Sequence, residues 1–175
     1  EVQHIGQGVL GGVEDHPGQL GQLLAQQAVE LLHLLPHPEG GWYAFRESSG
    51  QVLPALPGFP GHRESCSYIY YLLQRGEISR WHQLKATEVW TWHQGGSLEM
   101  TLGGTGTLPV PESTLTLGPR LEAGEQFQRM TPANCWQTTR VVDGDFVLVS
   151  CVVSPAFQGE DCLLPLEPLD NEIYE

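Results

Sequence analysis

The apolar positions of this chain change period part-way along. Between Leu20 and Leu35 they recur every three or four residues, as Leu20, Leu23, Leu24, Ala28, Leu31, Leu32 and Leu35, and Pro36 closes the run. That spacing predicts an amphipathic helix docked by one stripe on the rest of the fold. Beyond it the period falls to two. SYIYYLL at 67–73, then LEMTL, STLTL, QFQRM, CWQTTRVV and FVLVSCVV, are short β-type runs separated by Gly, Pro and Asn, which predicts an antiparallel barrel or sandwich. GQVLPALPGFPG at 50–61 has three prolines and three glycines among these residues, too many for a strand, and is expected to be an ordered loop or a lid. Residues 1–17 are glycine-rich without periodicity and are expected to form a flexible leader, residues 18–168 the folded domain, and 169–175 an acidic tail.

Alternation also predicts which side chains meet. With Arg75 and Gly76 at the tip of a hairpin, Ile69 faces His82 and Ser67 faces Leu84, while a turn at Lys85 to Thr87 sets Trp90 opposite His82. Ser67, Ile69, Tyr71, Arg80, His82, Leu84, Glu88, Trp90 and Trp92 then share one face, joined by Gln137 and Thr139 from later in the chain. Tyr68, Tyr70, Trp81 and Val89 take the opposite face, and a one-residue slip exchanges the two sets.

Composition narrows the partners. The 175 residues carry 8 basic and 21 acidic side chains, a formal net charge of -13, so a nucleic-acid polymer is repelled. The length suits one domain with a real core. Cys66, Cys135, Cys151 and Cys162 form no CxxC pair and sit in strand-like runs, as reduced core thiols do, which favours a reducing compartment such as the cytoplasm. No apolar run is long enough to span a membrane, and no secretory signal pattern opens the chain.

The most specific pattern is GEISRWHQLKATEVWTWHQGG at 76–96. Gly76, His82, Leu84, Glu88 and Gly95 keep the spacing of the first cupin motif, with leucine where the second histidine stands. A partial second motif surrounds Pro132, where Asn134 replaces a glycine and Gln137 replaces the last histidine; Gly124 lies two positions too early for the opening glycine. With HPEGGWY at 37–43, SYIYYLL at 67–73 and VVSPAF at 152–157, the chain resembles a small single-domain branch of the cupin superfamily over roughly residues 20–160. An apolar residue at the Leu84 position is a trait of that branch, whereas Thr87 departs from its usual acidic residue. The resemblance implies a mainly β fold, an antiparallel double-stranded β-helix or jelly-roll barrel, with a pocket and no settled activity.

His82 and Glu88 supply two metal ligands and Gln137 only a weak third, so no tightly bound metal or other cofactor is expected. A titratable pair in a small barrel is instead expected to contact a ligand. Trp90 and Trp92 beside that pair suit stacking, and Arg80 could meet a phosphate. The preferred expectation is a small polar ligand, such as a nucleotide or nucleotide-sugar, held by Ser67, Tyr71, Arg80, His82, Glu88, Trp90, Trp92, Gln137 and Thr139. The alternatives are a carbohydrate or nucleotide-sugar isomerase or epimerase with His82 as base, oriented by Glu88, and Tyr71 as acid, or a structural or storage cupin with a vestigial pocket. His37 is expected to organise a turn, His62 and His93 to face solvent, and the β-type segment near HPEGGWYAF to pair with a second subunit in a homodimer.

Overall fold

A computed structural model describes residues 18–165. The expected leader and acidic tail lie outside the described residues. Helix α1 spans Gln19–Leu32 and stops short of the predicted end because His33 takes a left-handed backbone, φ 55°. The His33 and Leu34 amides then return to the carbonyls of Glu30 and Val29, closing the last turn. The helix docks on a stripe that shares only Ala28 and Leu32 with the one predicted. Ala25, Ala28, Val29 and Leu32 pack with Trp42, Leu72, Phe146 and Leu148, whereas Leu20, Leu23 and Leu31 stay 60%, 62% and 70% exposed. Small residues decide the face: a side chain at Gly21 would lie 1.9 Å from the Asp145 carboxylate, so Gly21, Ala25 and Ala28 let the helix approach closely.

Among the described residues nine strands follow: β1 (Leu35–Pro36), β2 (Trp42–Ser48), β3 (Ser67–Gln74), β4 (Ile78–Leu84), β5 (Thr87–Leu102), β6 (Ser113–Leu117), β7 (Gln128–Thr131), β8 (Trp136–Ser154) and β9 (Cys162–Leu163). The strand pairings are antiparallel and join one curled sheet, in the order β1-β2-β3-β8-β4-β9, with β5 pairing β6, β7 and β8. This is the expected barrel. Its interior holds Tyr71, Leu73, Trp90, Leu98, Met100, Leu117, Val147, Val149 and Cys151.

The two runs CWQTTRVV and FVLVSCVV belong to one 19-residue strand, β8. It passes the exposed Asp143 and the left-handed Gly144 (φ 77°) without ending. Strand β8 also overturns the predicted hairpin. β3 and β4 do not pair with each other; both run along the same strand, Gln74 opposite Phe146 and Ile78 opposite Arg140, so Arg75 and Gly76 form a corner. Ile69 pairs with Phe45 and Cys151, Ser67 with Ser48 and Val153, and His82 with Gln137. Trp90 is opposite Cys151 and Arg129.

The 50–61 segment forms only isolated bridges, Val52 with Glu64 and Leu56 with Phe59. It is an ordered loop, with Phe59 packed against the cluster of Leu84, Ala86 and Val153. Next to it the buried Arg63 pairs with the buried Asp161, anchoring the loop to the chain after β8. All four cysteines are free thiols, and no described helix is long and apolar enough to cross a membrane.

Gly95 and Gly76 both have left-handed backbones, φ 98° and 86°, in different surroundings. A Cβ at Gly95 would sit 2.1 Å from the Phe146 carbonyl oxygen, whereas nothing lies within 4 Å at Gly76. Gly76→Ala should therefore lose only the backbone term, about 1 kcal/mol, and Gly95→Ala at least about 3 kcal/mol, because β5 and β8 must also separate. Urea unfolding of the two variants checks this; equal losses would contradict it.

Candidate functional site

The inner face of the barrel encloses a cavity of about 250 Å³. Strand alternation brings Tyr43 and Phe45 to it from β2, Ser67, Ile69 and Tyr71 from β3, and Glu88 and Trp90 from β5. Strand β4 breaks the alternation. Its pairing with β8 slips between Ser79 and His82, a bulge that turns both Ser79 and His82 inward although they are three residues apart. Arg80 consequently leaves the cavity, and its guanidinium donates to the Pro38 carbonyl at 2.7 Å.

At the closed end, Gln137 is fully buried and makes four hydrogen bonds. Trp90 Nε1 can only donate, and it meets Gln137 Oε1 at 3.1 Å, which fixes the amide orientation. The same oxygen accepts from Thr131 Oγ1 at 2.7 Å. The amide nitrogen donates to Glu88 Oε2 and to His82 Nε2, the latter at 3.0 Å. His82 Nδ1 lies 2.8 Å from the Arg80 carbonyl oxygen, an acceptor, so Nδ1 carries the ring proton and Nε2 accepts from Gln137. Burial pushes the Glu88 carboxyl above its ordinary pKa, and burial likewise holds the Tyr71 phenol and the Cys151 thiol well above theirs.

Glu39 is the functional residue that alternation and motif spacing do not identify. It lies in the loop between β1 and β2, 9% exposed, with Oε2 3.3 Å from His82 Nδ1 and Oε1 accepting from Cys162 Sγ at 3.2 Å. The signal was in the two glycines that follow it. A side chain at Gly40 would strike the Ile78 carbonyl oxygen at 2.1 Å, and one at Gly41 the Leu72 carbonyl oxygen at 2.7 Å. Only glycine lets this loop lie flat on β3 and β4 and press Glu39 inward. His37 does organise the turn, its Nδ1 accepting the Glu39 amide at 3.2 Å, and it lines the cavity as well. His62 and His93 are exposed, as expected.

The expected residues thus divide. Ser67, Tyr71, His82, Glu88 and Trp90 line the cavity, with Gln137 bonded directly behind them. Ser67 Oγ accepts the Phe157 amide at 3.0 Å, and the Tyr71 hydroxyl donates to the Gly40 carbonyl at 2.7 Å, so both also hold the walls together. Trp92 lies elsewhere, its Nε1 donating to Gly96 O at 3.0 Å and its ring stacked on Phe127. Thr139 borders a separate depression beside Trp81 and Glu99. The 50–61 loop contributes nothing to the lining, so the lid expectation does not apply to this cavity.

Cupin barrels commonly hold a metal at this place, and the donor set here does not fit one. His82 Nε2 and Glu88 Oε2 both face amide hydrogens of Gln137, whose oxygen is occupied by Trp90 and Thr131. Leu84 offers no donor, and no group of three His, Cys, Asp or Glu among the described residues is arranged to hold an ion.

Residues 26–164 match the family described as Cupin superfamily (DUF985). A hypothetical protein from Leishmania major is 28% identical with a TM-score of 0.72, over 80% of this chain and 86% of that one. A protein from Shewanella oneidensis is 37% identical with a TM-score of 0.65, over 80% and 83% of the two chains. Oxalate decarboxylase from Lactobacillus farciminis, solved as a formate complex, shares the fold at 12% identity and a TM-score of 0.50, over 77% of this chain and 34% of that one. No curated protein matches. A barrel built around a partly replaced motif pair, and a family match over most of its length, place this chain in the DUF985 branch of the cupin superfamily.

Proposed function

We propose that this cupin binds a compact small molecule in the barrel cavity without a metal, using the Glu39, His82 and Glu88 end for polar contacts and the aromatic wall for its body. The observation that carries this reading is the pair of carboxylates, Glu39 and Glu88, held buried at one end of a cavity of about 250 Å³. A barrel needing only a filled core would hold apolar side chains there, since desolvating carboxylates disfavours folding. This weighs against a vestigial pocket. A nucleotide or nucleotide-sugar would find aromatic rings but no Lys or Arg in the lining, so its phosphate would have to stay at the mouth. An isomerase would need a base, and both nitrogens of His82 are already hydrogen-bonded. Binding is therefore preferred to turnover.

A thermal-shift screen of polyols, sugars, amines, nucleotides and organic acids tests the reading, with elemental analysis of the same preparation. At least one class should raise the melting temperature, and Ile69→Trp, which fills the cavity, should abolish the shift. A stoichiometric metal lost in His82→Ala would contradict the metal-free site.

Because burial raises the Glu88 pKa above the ordinary 4.5, between that value and the raised one the folded chain holds a proton there that the unfolded chain has released. Stability contributed by this group is full below that ordinary value and falls as pH rises toward the folded pKa. Glu88→Gln keeps the acceptor for Trp90 and Gln137, so it should gain on the parent as pH rises from about 4.5 to neutrality. Urea titrations across that range check the sign.

The homodimer is likewise proposed. β1 pairs only with Trp42 and Tyr43, leaving the outer edge of Ala44–Ser48 without a strand partner among the described residues, and Phe45 is 60% exposed on it. Light scattering at micromolar concentration should give twice the monomer mass; a monomer would refute it.

A further inference from the structure

The lining of this cavity has an unusual balance of charge and aromaticity. Its titratable members are the carboxylates Glu39 and Glu88, the imidazoles His37 and His82, the thiol Cys151 and tyrosine phenols; no lysine or arginine faces it. Six aromatic side chains, Tyr43, Phe45, Tyr68, Tyr71, Trp90 and Phe157, make up much of the wall, Tyr68 among them although alternation places it on the opposite face. Phe45 and Phe157 are 60% and 47% exposed, whereas Tyr71 and Trp90 are 2% exposed, so the wall runs from a solvated mouth to a dry floor.

Each of these observations selects against one class of ligand. An anion would meet the Glu39 and Glu88 carboxyl groups with no lysine or arginine in the lining to hold it, in a place where water cannot screen it. A purely apolar molecule would leave the carboxylates uncompensated. A cation carrying N–H donors or a positive methylammonium surface suits both the carboxylates and the aromatic wall. Carboxylates balance its charge and ring faces attract it through their quadrupoles.

We propose that the ligand of this cavity is a small organic cation, a protonated amine or methylated ammonium with a compact body, held against Glu39 at the floor and by the aromatic wall above. This rests on the binding reading given above and names its ligand class. Glu39 is the better placed of the two carboxylates. Glu88 Oε2 already accepts from Trp90 and Gln137, whereas Glu39 Oε2 has only the imidazoles, at 3.3 Å to His82 and 3.9 Å to His37. The cavity is small enough that the charge must lie within the molecule's first few atoms from the floor, which favours a terminal ammonium over one set in the middle of a long chain.

The test is calorimetric, on the full chain, with shape-matched probes: benzylammonium, its neutral counterpart benzyl alcohol and its anionic counterpart benzoate, together with choline. Benzylammonium or choline should bind at least about tenfold tighter than benzyl alcohol, and benzoate should not compete. Glu39→Gln should remove that preference, and Phe45→Leu, at an exposed mouth position that does not endanger folding, should weaken the cations more than the alcohol. Ile69→Trp should abolish binding altogether, which separates the cavity from the generally acidic surface. Equal or tighter binding of the alcohol or the benzoate would overturn the cation assignment while leaving a ligand-binding cavity intact. A cation preference unchanged in Glu39→Gln, or surviving in Ile69→Trp, would also overturn it. Failure of every probe to bind the parent chain up to about 10 mM, weaker than about -3 kcal/mol, would overturn the binding reading as well.

Discussion

The satisfaction of one buried amide organises this molecule. Gln137 sits where no water reaches, and an amide there must find two acceptors and at least one donor or destabilise the fold. It finds His82 on β4, Glu88 and Trp90 on β5, and Thr131 on β7, so four strands are fixed relative to one another by a single side chain. The cavity floor is a by-product of that arrangement. The groups that would otherwise ligate a metal are held in place by an amide instead of an ion, and they stay polar and dry.

Much of the fold could be seen in the sequence, because strand alternation and turn residues are local properties. The period of two at Ser67 to Leu73 and the left-handed Asn134, φ 59°, both follow from short-range chemistry. The face shared by Ser67, Tyr71, His82, Glu88 and Trp90 survived even though the hairpin beneath it was wrong. Parity within a strand does not depend on which strand lies beside it, whereas partner choice does. Arg80 failed for the complementary reason: a bulge changes parity in the middle of a strand, and nothing local to SRWHQ announces it.

The helix and the HPEGG loop failed in another way. Leucine periodicity identified α1 but only part of its buried stripe, Ala28 and Leu32, because close approach to the sheet is limited by the smallest residues rather than driven by the largest. Glu39 was hidden because its role depends on how tightly Gly40 and Gly41 lie against β3 and β4, a long-range fit. Glycines that a modest turn would not require are the trace such a fit leaves in a sequence.

Strand β8 has a consequence for how the chain is made. It is hydrogen-bonded along its length to β3, β4 and β5, yet it follows all three of them, and β6 and β7, along the chain. Until residue 154 has left the ribosome, β3 and β4 have no shared neighbour and β5 lacks its longest partner. Everything before β8 must wait as incompletely paired β-structure with open edges, the state in which nascent chains are most exposed to wrong partners. The barrel then closes only with β8, so a ribosome that stalls within it leaves the β2–β3 and β5–β6–β7 pairings unjoined and the cavity open on one side.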